Sequence, residues 1–135
     1  MKFMSKEWVE AYSKALNDNP AYEEAAKTWE GDFLFVVRDD ETNDVMAMAY
    51  FDLWHGKCRK AYIIEDPANP DVKPEFVYDG KWSNWIKVLK KELDPIQGLM
   101  TGKFKLTGNM SKVMRAVKAA QELVNTTMKI ETDLS

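Results

Sequence analysis

The sequence predicts an α+β domain, with a five-stranded, mainly antiparallel sheet and helices covering one face. Three observations lead there. Runs rich in aromatic and β-branched residues crowd the first half of the chain, as in GDFLFVVRDD, VMAMAYFDLW and KCRKAYIIED. Stripes of apolar residues at helical spacing lie before and after those runs. A length of 135 residues, with 45% hydrophobic and 30% charged side chains, suits one core and one domain, residues 1–135.

Ser5 is placed to cap a helix from Lys6 to about Leu16, with Trp8, Val9, Tyr12 and Leu16 near one face. Asn19 and Pro20 then start a short helix as N-cap and first helical residue, running to about Trp29 and ended by Gly31. Three strands of a meander follow. DETND forms the first turn and His55-Gly56 the second. A two-residue turn at Thr42-Asn43 sets Glu41 opposite Asp44, which puts Met46, Met48 and Tyr50 on one face with Phe33, Phe35 and Val37. The opposite face, with Leu34, Val36, Arg38, Ala47, Ala49 and Phe51, is mixed. It is expected to stay partly open, available to a partner or a second copy. EDPANPDVKP is a loop, and PEFVYD a short fourth strand.

Asp79 is placed to cap a helix from Gly80 to Leu93 carrying Trp82, Trp85, Ile86, Leu89 and Leu93 on one face. It stops at Asp94-Pro95, and one more turn can carry Ile96, Leu99 and Met100. KFKLTG is a fifth strand. Asn109 caps a last helix to about Asn125, with Met110, Val113, Met114, Val117, Ala120, Leu123 and Val124 as its stripe. The tail TTMKIETDLS has no periodic pattern and is expected to be mobile.

The chain contains one histidine and one cysteine, which argues against nucleophilic catalysis and against a metal. His55 and Cys58 have His-x-x-Cys spacing, half of a metal site without a second half. Asp39, Asp40, Glu41 and Asp44 gather on a turn without EF-hand spacing. The glycines of GLMTGKFKLTG match no phosphate-binding loop. The expectation is therefore a protein that is not an enzyme and has no cofactor. Net charge is −3, yet residues 81–118 hold nine basic side chains against two acidic ones, a local +7. That asymmetry suits either a solvated helix face or a surface meeting phosphate or an anionic membrane. The spread of the basic residues and the overall negative charge argue against nucleic acid. No disulfide can form within the chain, no apolar run approaches ~20 residues, and MKFMSKEWVE is interrupted by charge too early for a signal-peptide core. The C-terminus is not Ser-Lys-Leu, and the expected compartment is the cytoplasm. Eight methionines and five tryptophans suit ordinary core filling or a pocket that adapts to its contents.

From Tyr78 to Leu123 the chain reads YDGKWSNWIKVLKKELDPIQGLMTGKFKLTGNMSKVMRAVKAAQEL. This segment resembles the C-terminal half of the sterol carrier protein family. The shared pattern is Asp94-Pro95, then Met100, Gly102, Lys103, Phe104, Lys105, Leu106 and Gly108, then Asn109 and Met110 opening a helix. Asn109 stands where the family usually has Asp, and either residue caps a helix. The N-terminal half is similar only in layout. The resemblance implies a stand-alone sterol-carrier-protein-2-like domain with an apolar tunnel between sheet and helices. It implies a guest such as a fatty acid, fatty acyl-coenzyme A, sterol or phospholipid.

On that reading Met46, Met48 and Tyr50 form the sheet wall and Trp85, Ile86 and Leu89 the helix wall. Leu99, Met100, Phe104 and Leu106 form rim and floor, and Met110, Met114 and Val117 the covering helix. Lys103, Lys105, Lys112 and Arg115 meet a carboxylate, phosphate or coenzyme A head group. The partners are then the lipid or acyl-coenzyme A, a transient anionic membrane surface and a second copy in a homodimer. Two other readings stay open: a non-catalytic accessory subunit of a lipid-metabolising enzyme, docked through the mixed sheet face, and an enzyme working through carboxylates.

Overall fold

The computed structural model describes residues 1–134. Ser5 caps α1 (Lys6–Asn17) by accepting the Trp8 amide at 3.2 Å. Asn19 caps α2 (Pro20–Ala25), with Pro20 at the first helical position. Strands β1 (Glu30–Arg38), β2 (Val45–Trp54) and β3 (Lys57–Ile63) form the antiparallel meander. β4 (Phe76–Lys81) returns alongside β1 in parallel, and β5 (Phe104–Thr107) closes the sheet against β4 in antiparallel fashion. The strand order is β3-β2-β1-β4-β5. Between β4 and β5 lie α3 (Trp82–Leu89) and α4 (Pro95–Met100), and after β5 come α5 (Met110–Met114) and α6 (Val117–Thr127). All six helices contribute to one apolar cluster on the same face of the sheet.

Tight turns set the meander. Trp54–Lys57 is joined by His55 and Gly56 with φ of 50° and 79°, the paired left-handed geometry of a two-residue hairpin. The first turn is longer than two residues. The Asp39 amide donates to the Asp44 carbonyl at 2.8 Å, the Asp39 carboxylate accepts the Glu41 and Thr42 amides, and Asn43 takes φ 63°. These amides, Thr42 foremost, hold the Asp39 carboxyl below the usual carboxylate range. Val37 then pairs with Ala47 but Arg38 with Val45, so Met46 bulges from the ladder.

The bulge moves the register by one residue from the expected pairing, and the β2 side chains from Ala47 onward change face. Phe33, Phe35 and Val37 share the helix-covered face with Phe51, Ala49 and Ala47. Met48 and Tyr50 join Leu34 and Val36 on the other side, where Met48, Leu34, Val36 and Ile64 make a second small cluster. That face is less open than the sequence suggested, because Val72 of the 64–75 loop packs on it.

Three further expectations change. Gly80 and Lys81 belong to β4, and the helix begins only at Trp82 and ends at Leu89. The last helix breaks at Ala116 (φ −101°, ψ 38°), which separates α5 from α6 and leaves Val117 outside the stripe. The tail is tied down: Trp8 Nε1 donates to Thr132 Oγ1 at 2.8 Å, Lys2 bridges to Asp133, and Ile130 and Leu134 pack on the main cluster.

α3 is capped from outside its own segment. Lys81 offers no side-chain cap, and Asp40 in the β1–β2 turn accepts the Ser83 amide at 2.9 Å. Asp40→Ala should cost about 0.5–1 kcal/mol in urea unfolding, the low part of the capping range because the residue is exposed. The Ser83 bonds hold the Asp40 carboxyl below its ordinary value. Its contribution is therefore present at neutral pH and is lost as acid protonates it, so variant and parent should converge in acid.

Candidate functional site: an apolar cavity under the helices

A cavity of about 90 Å³ lies between the sheet and the helices. β1 supplies Phe33 and Phe35 to its floor, and β4 supplies Tyr78. α3 gives Trp85, Val88 and Leu89, and Pro95 and Ile96 of α4 close one end. α5 and α6 roof it with Val113, Ala120, Leu123, Val124 and Thr127. The fourth side is the N-terminus: Phe3, Met4, Trp8 and Tyr12. Phe35 points to the helix-covered face between buried Phe33 and Val37, yet it stays half-buried because it borders this space. A smaller cavity of about 40 Å³ adjoins it, lined by Tyr22, Trp29, Leu53, Ala116 and Ala119. Both share Phe33, Val113, Ala120 and Leu123.

The polar atoms of the wall are already bonded to the protein. Tyr12 donates to the Leu123 carbonyl at 2.6 Å and Tyr78 to the Pro95 carbonyl at 2.8 Å. Trp85 Nε1 donates to the Val36 carbonyl at 3.0 Å, and Thr127 to the Val124 carbonyl at 2.6 Å. Burial pushes the Tyr12 and Tyr78 phenols well up, so both stay neutral at physiological pH. A guest here meets carbon and ring faces, with no polar atom left to recognise it. The floor is stiff. Phe35 packs on Phe51 at 4.9 Å and on Trp85 at 5.6 Å, and Tyr78 stacks on Phe104 at 4.5 Å.

Of the wall residues expected from sequence, Trp85 and Leu89 line the cavity. Met48 and Tyr50 do not, since the register carries them to the opposite face. Nor does Met46, which bulges from the ladder and is 51% exposed, and the Tyr50 hydroxyl is bonded to Asp32 at 2.7 Å. Leu99 and Phe104 are buried in the same cluster, and Leu106 and Met114 pack against it, but behind the lining shell. Ile86 is half-buried and does not line the cavity. Met100 is 65% exposed. Met110, at the first position of α5, and Val117, just after the break at Ala116, also face out, whereas Ala120 of the expected stripe lines the cavity. The sequence reading missed the N-terminal wall, although Trp8 and Tyr12 already stood on one helical face.

The four expected head-group residues do not converge. Lys103 and Lys105 line a polar cleft of about 560 Å³ with Arg38, Lys81 and Asn84. There Arg38 is held by Asp79 in a two-pronged pair at 2.8 and 2.9 Å. Phe104 forms part of that cleft and separates it from the apolar cavity. Lys112 reaches from α5 over the Trp29 and Phe76 rings to Glu75 at 2.8 Å and to the Glu30 carbonyl. It straps α5 to the sheet. Arg115 is exposed at the end of α5.

The half metal site is divided. His55 sits on its hairpin turn against Glu30 at 2.6 Å and stacks on Trp54, whereas Cys58 is buried and receives the Ser13 hydroxyl at 3.3 Å. Burial pushes the Cys58 thiol up. Among the described residues no group of three or more His, Cys, Asp or Glu side chains is placed to hold a metal ion. No helix among them is long and apolar enough to cross a membrane.

Comparison with known proteins gives a consistent picture. The model of the SCP-2 sterol transfer family matches residues 10–121. A crystal structure of sterol carrier protein 2 is 31% identical, with a TM-score of 0.82 over 96% of this chain and 100% of that one. The solution structure of a conserved hypothetical protein from Thermus thermophilus, described as a possible sterol carrier protein, is 32% identical. Its TM-score is 0.84, over 100% of this chain and 94% of that one. A palmitated sterol carrier protein 2-like protein from Aedes aegypti shares the fold at 15% identity, TM-score 0.53, over 83% of this chain and 93% of that one. Among curated protein sequences, none matches.

Proposed function

Because the chain belongs to the SCP-2 sterol transfer family, we propose that it binds one apolar lipid between its sheet and its helices and carries or presents it. The observation that carries this reading is the wall chemistry: an internal space whose every neighbouring hydroxyl and indole is already bonded to the protein. Apolar burial then supplies the affinity, at about 0.8 kcal/mol per methylene, and selectivity among chains is loose. Carrying requires no bond making, and we assign the protein no catalytic step.

The resting cavity has room for on the order of six water-sized spheres, less than a long acyl chain needs. The roof supplies the rest. α5 has five residues, the chain leaves helical geometry at Ala116, and α6 starts without a side-chain cap. Such a roof opens at lower cost than the sheet below it. The smaller cavity beyond Phe33 and Leu123 receives the end of the chain. The basic excess between residues 81 and 118 meets an anionic membrane surface during transfer. The buried, unpaired Cys58 suits work in the cytoplasm.

Trp8 and Trp85 border the cavity, so tryptophan fluorescence reports its filling. Titration with palmitic acid should give a saturable change at one lipid per chain. The absence of any saturable change with palmitic acid, cholesterol and phosphatidylcholine alike would refute the reading.

A further inference from the structure

A third space of about 160 Å³ opens where the α3–α4 corner meets α6. It shares Val88, Pro95 and Val124 with the main apolar cavity. Its other neighbours are polar or amphipathic: Lys91, Asp94, Gln121 and Asn125, with Leu93. The three spaces thus lie in sequence, polar at this end and apolar at the other, where Trp29, Leu53 and Ala119 close the far cavity.

We infer that this corner is the mouth of the lipid site, and that it holds the carboxylate of a fatty acid whose chain runs inward past Val88 and Val124. The inference rests on the lipid-binding reading and adds the entry, the direction and the head-group class. Four observations carry it. Lys91 is held in a left-handed turn (φ 61°), fixed by its amide on the Val88 carbonyl at 3.0 Å, so the corner presents its side chain from a set backbone. Among the described residues the side chains of Lys91 and Gln121 have no hydrogen-bond or ion-pair partner, and both are donors. The opposing carboxylate, Asp94, is already engaged by the Ile96 and Gln97 amides at 2.9 and 3.1 Å. Asn125 is turned to Glu122 at 3.0 Å, which occupies the other nearby acid. Lys87, Lys90 and Lys118 stand exposed on the same helices and keep the local field positive against Glu92, Asp94 and Glu122. The cleft lined by Lys103 and Lys105 lies on the far side of Phe104 and shares no wall with the apolar cavity.

The test compares palmitic acid with methyl palmitate, which keeps the chain and removes the charge. Both are titrated into the whole chain and into its Lys91→Glu and Gln121→Ala variants, with tryptophan fluorescence as readout and circular dichroism as the check on folding. Both changes lie on exposed positions, so the fold should hold. Lys91→Glu should weaken palmitic acid about tenfold or more, as expected for loss of a charge-assisted bond, and Gln121→Ala about threefold. Methyl palmitate should be almost unaffected by either change. Equal affinity of palmitic acid for parent and Lys91→Glu would overturn the mouth while leaving lipid binding intact. Equal weakening of acid and ester would also overturn it, since the lysine would then act on the wall and not on the head. Failure of every protein to bind either compound would remove the lipid-binding reading and this inference with it.

Discussion

Replacing Ala120 by phenylalanine is expected to abolish lipid loading while leaving the fold intact. Ala120 is the small residue on α6 at the point where the main and second cavities meet. A benzyl group there occupies space that is empty at rest, so the unliganded protein should keep its stability or gain some. A guest chain, however, would lose its passage from one cavity to the next. Displacing about four methylenes costs roughly 3 kcal/mol, more than a hundredfold in affinity. The check is the shift in thermal midpoint on adding palmitic acid, which should be clear in the parent and absent in the variant. An undiminished shift would place the guest elsewhere.

Gly80→Val should be the most damaging single change to the fold near the site. Gly80 lies on the helix-covered face of β4, and a Cβ there would overlap the ring of Phe104. Gly98 of α4 sits against the same ring, where a Cβ would come within 2.7 Å. Phe104 is thus held between two glycines, stacked on Tyr78, and set edge-on to Trp85 at 5.2 Å. No flexible atom can give way. Overpacking by a valine should cost about 2–3 kcal/mol in denaturant unfolding. Phe104→Leu alone destabilises by loss of packing, but added to Gly80→Val it should recover part of the loss. Simple additivity of the two would refute the clash as the cause.

The architecture was readable because its signals were local. Ser5, Asn19 and Asn109 each announce a helix start, and each accepts a backbone amide at the start of its helix. The β2 register was not readable. In VMAMAYFDLW both alternating sets, Met46-Met48-Tyr50 and Ala47-Ala49-Phe51, are apolar, so hydrophobicity cannot choose the inward one. The choice lies in the side chain of Asp39, which gathers two amides and lengthens the turn, and in the Met46 bulge. The break at Ala116 was equally silent, since neither proline nor glycine marks it. It accounts for the outward turn of Val117. Two of the three α3 wall residues, Trp85 and Leu89, followed from helical spacing. The N-terminal wall depends on Phe3 and Met4, whose place is set by long-range pairing with the tail.

The central claim is that a lipid chain lies against this one set of side chains. Intermolecular nuclear Overhauser effects from carbon-13-labelled palmitic acid to methyl-labelled protein test it directly. Cross-peaks from the chain to the Leu89, Val113, Leu123 and Val124 methyls are the predicted result. Cross-peaks confined to Met46, Met100 and Met128 on the outside would contradict it.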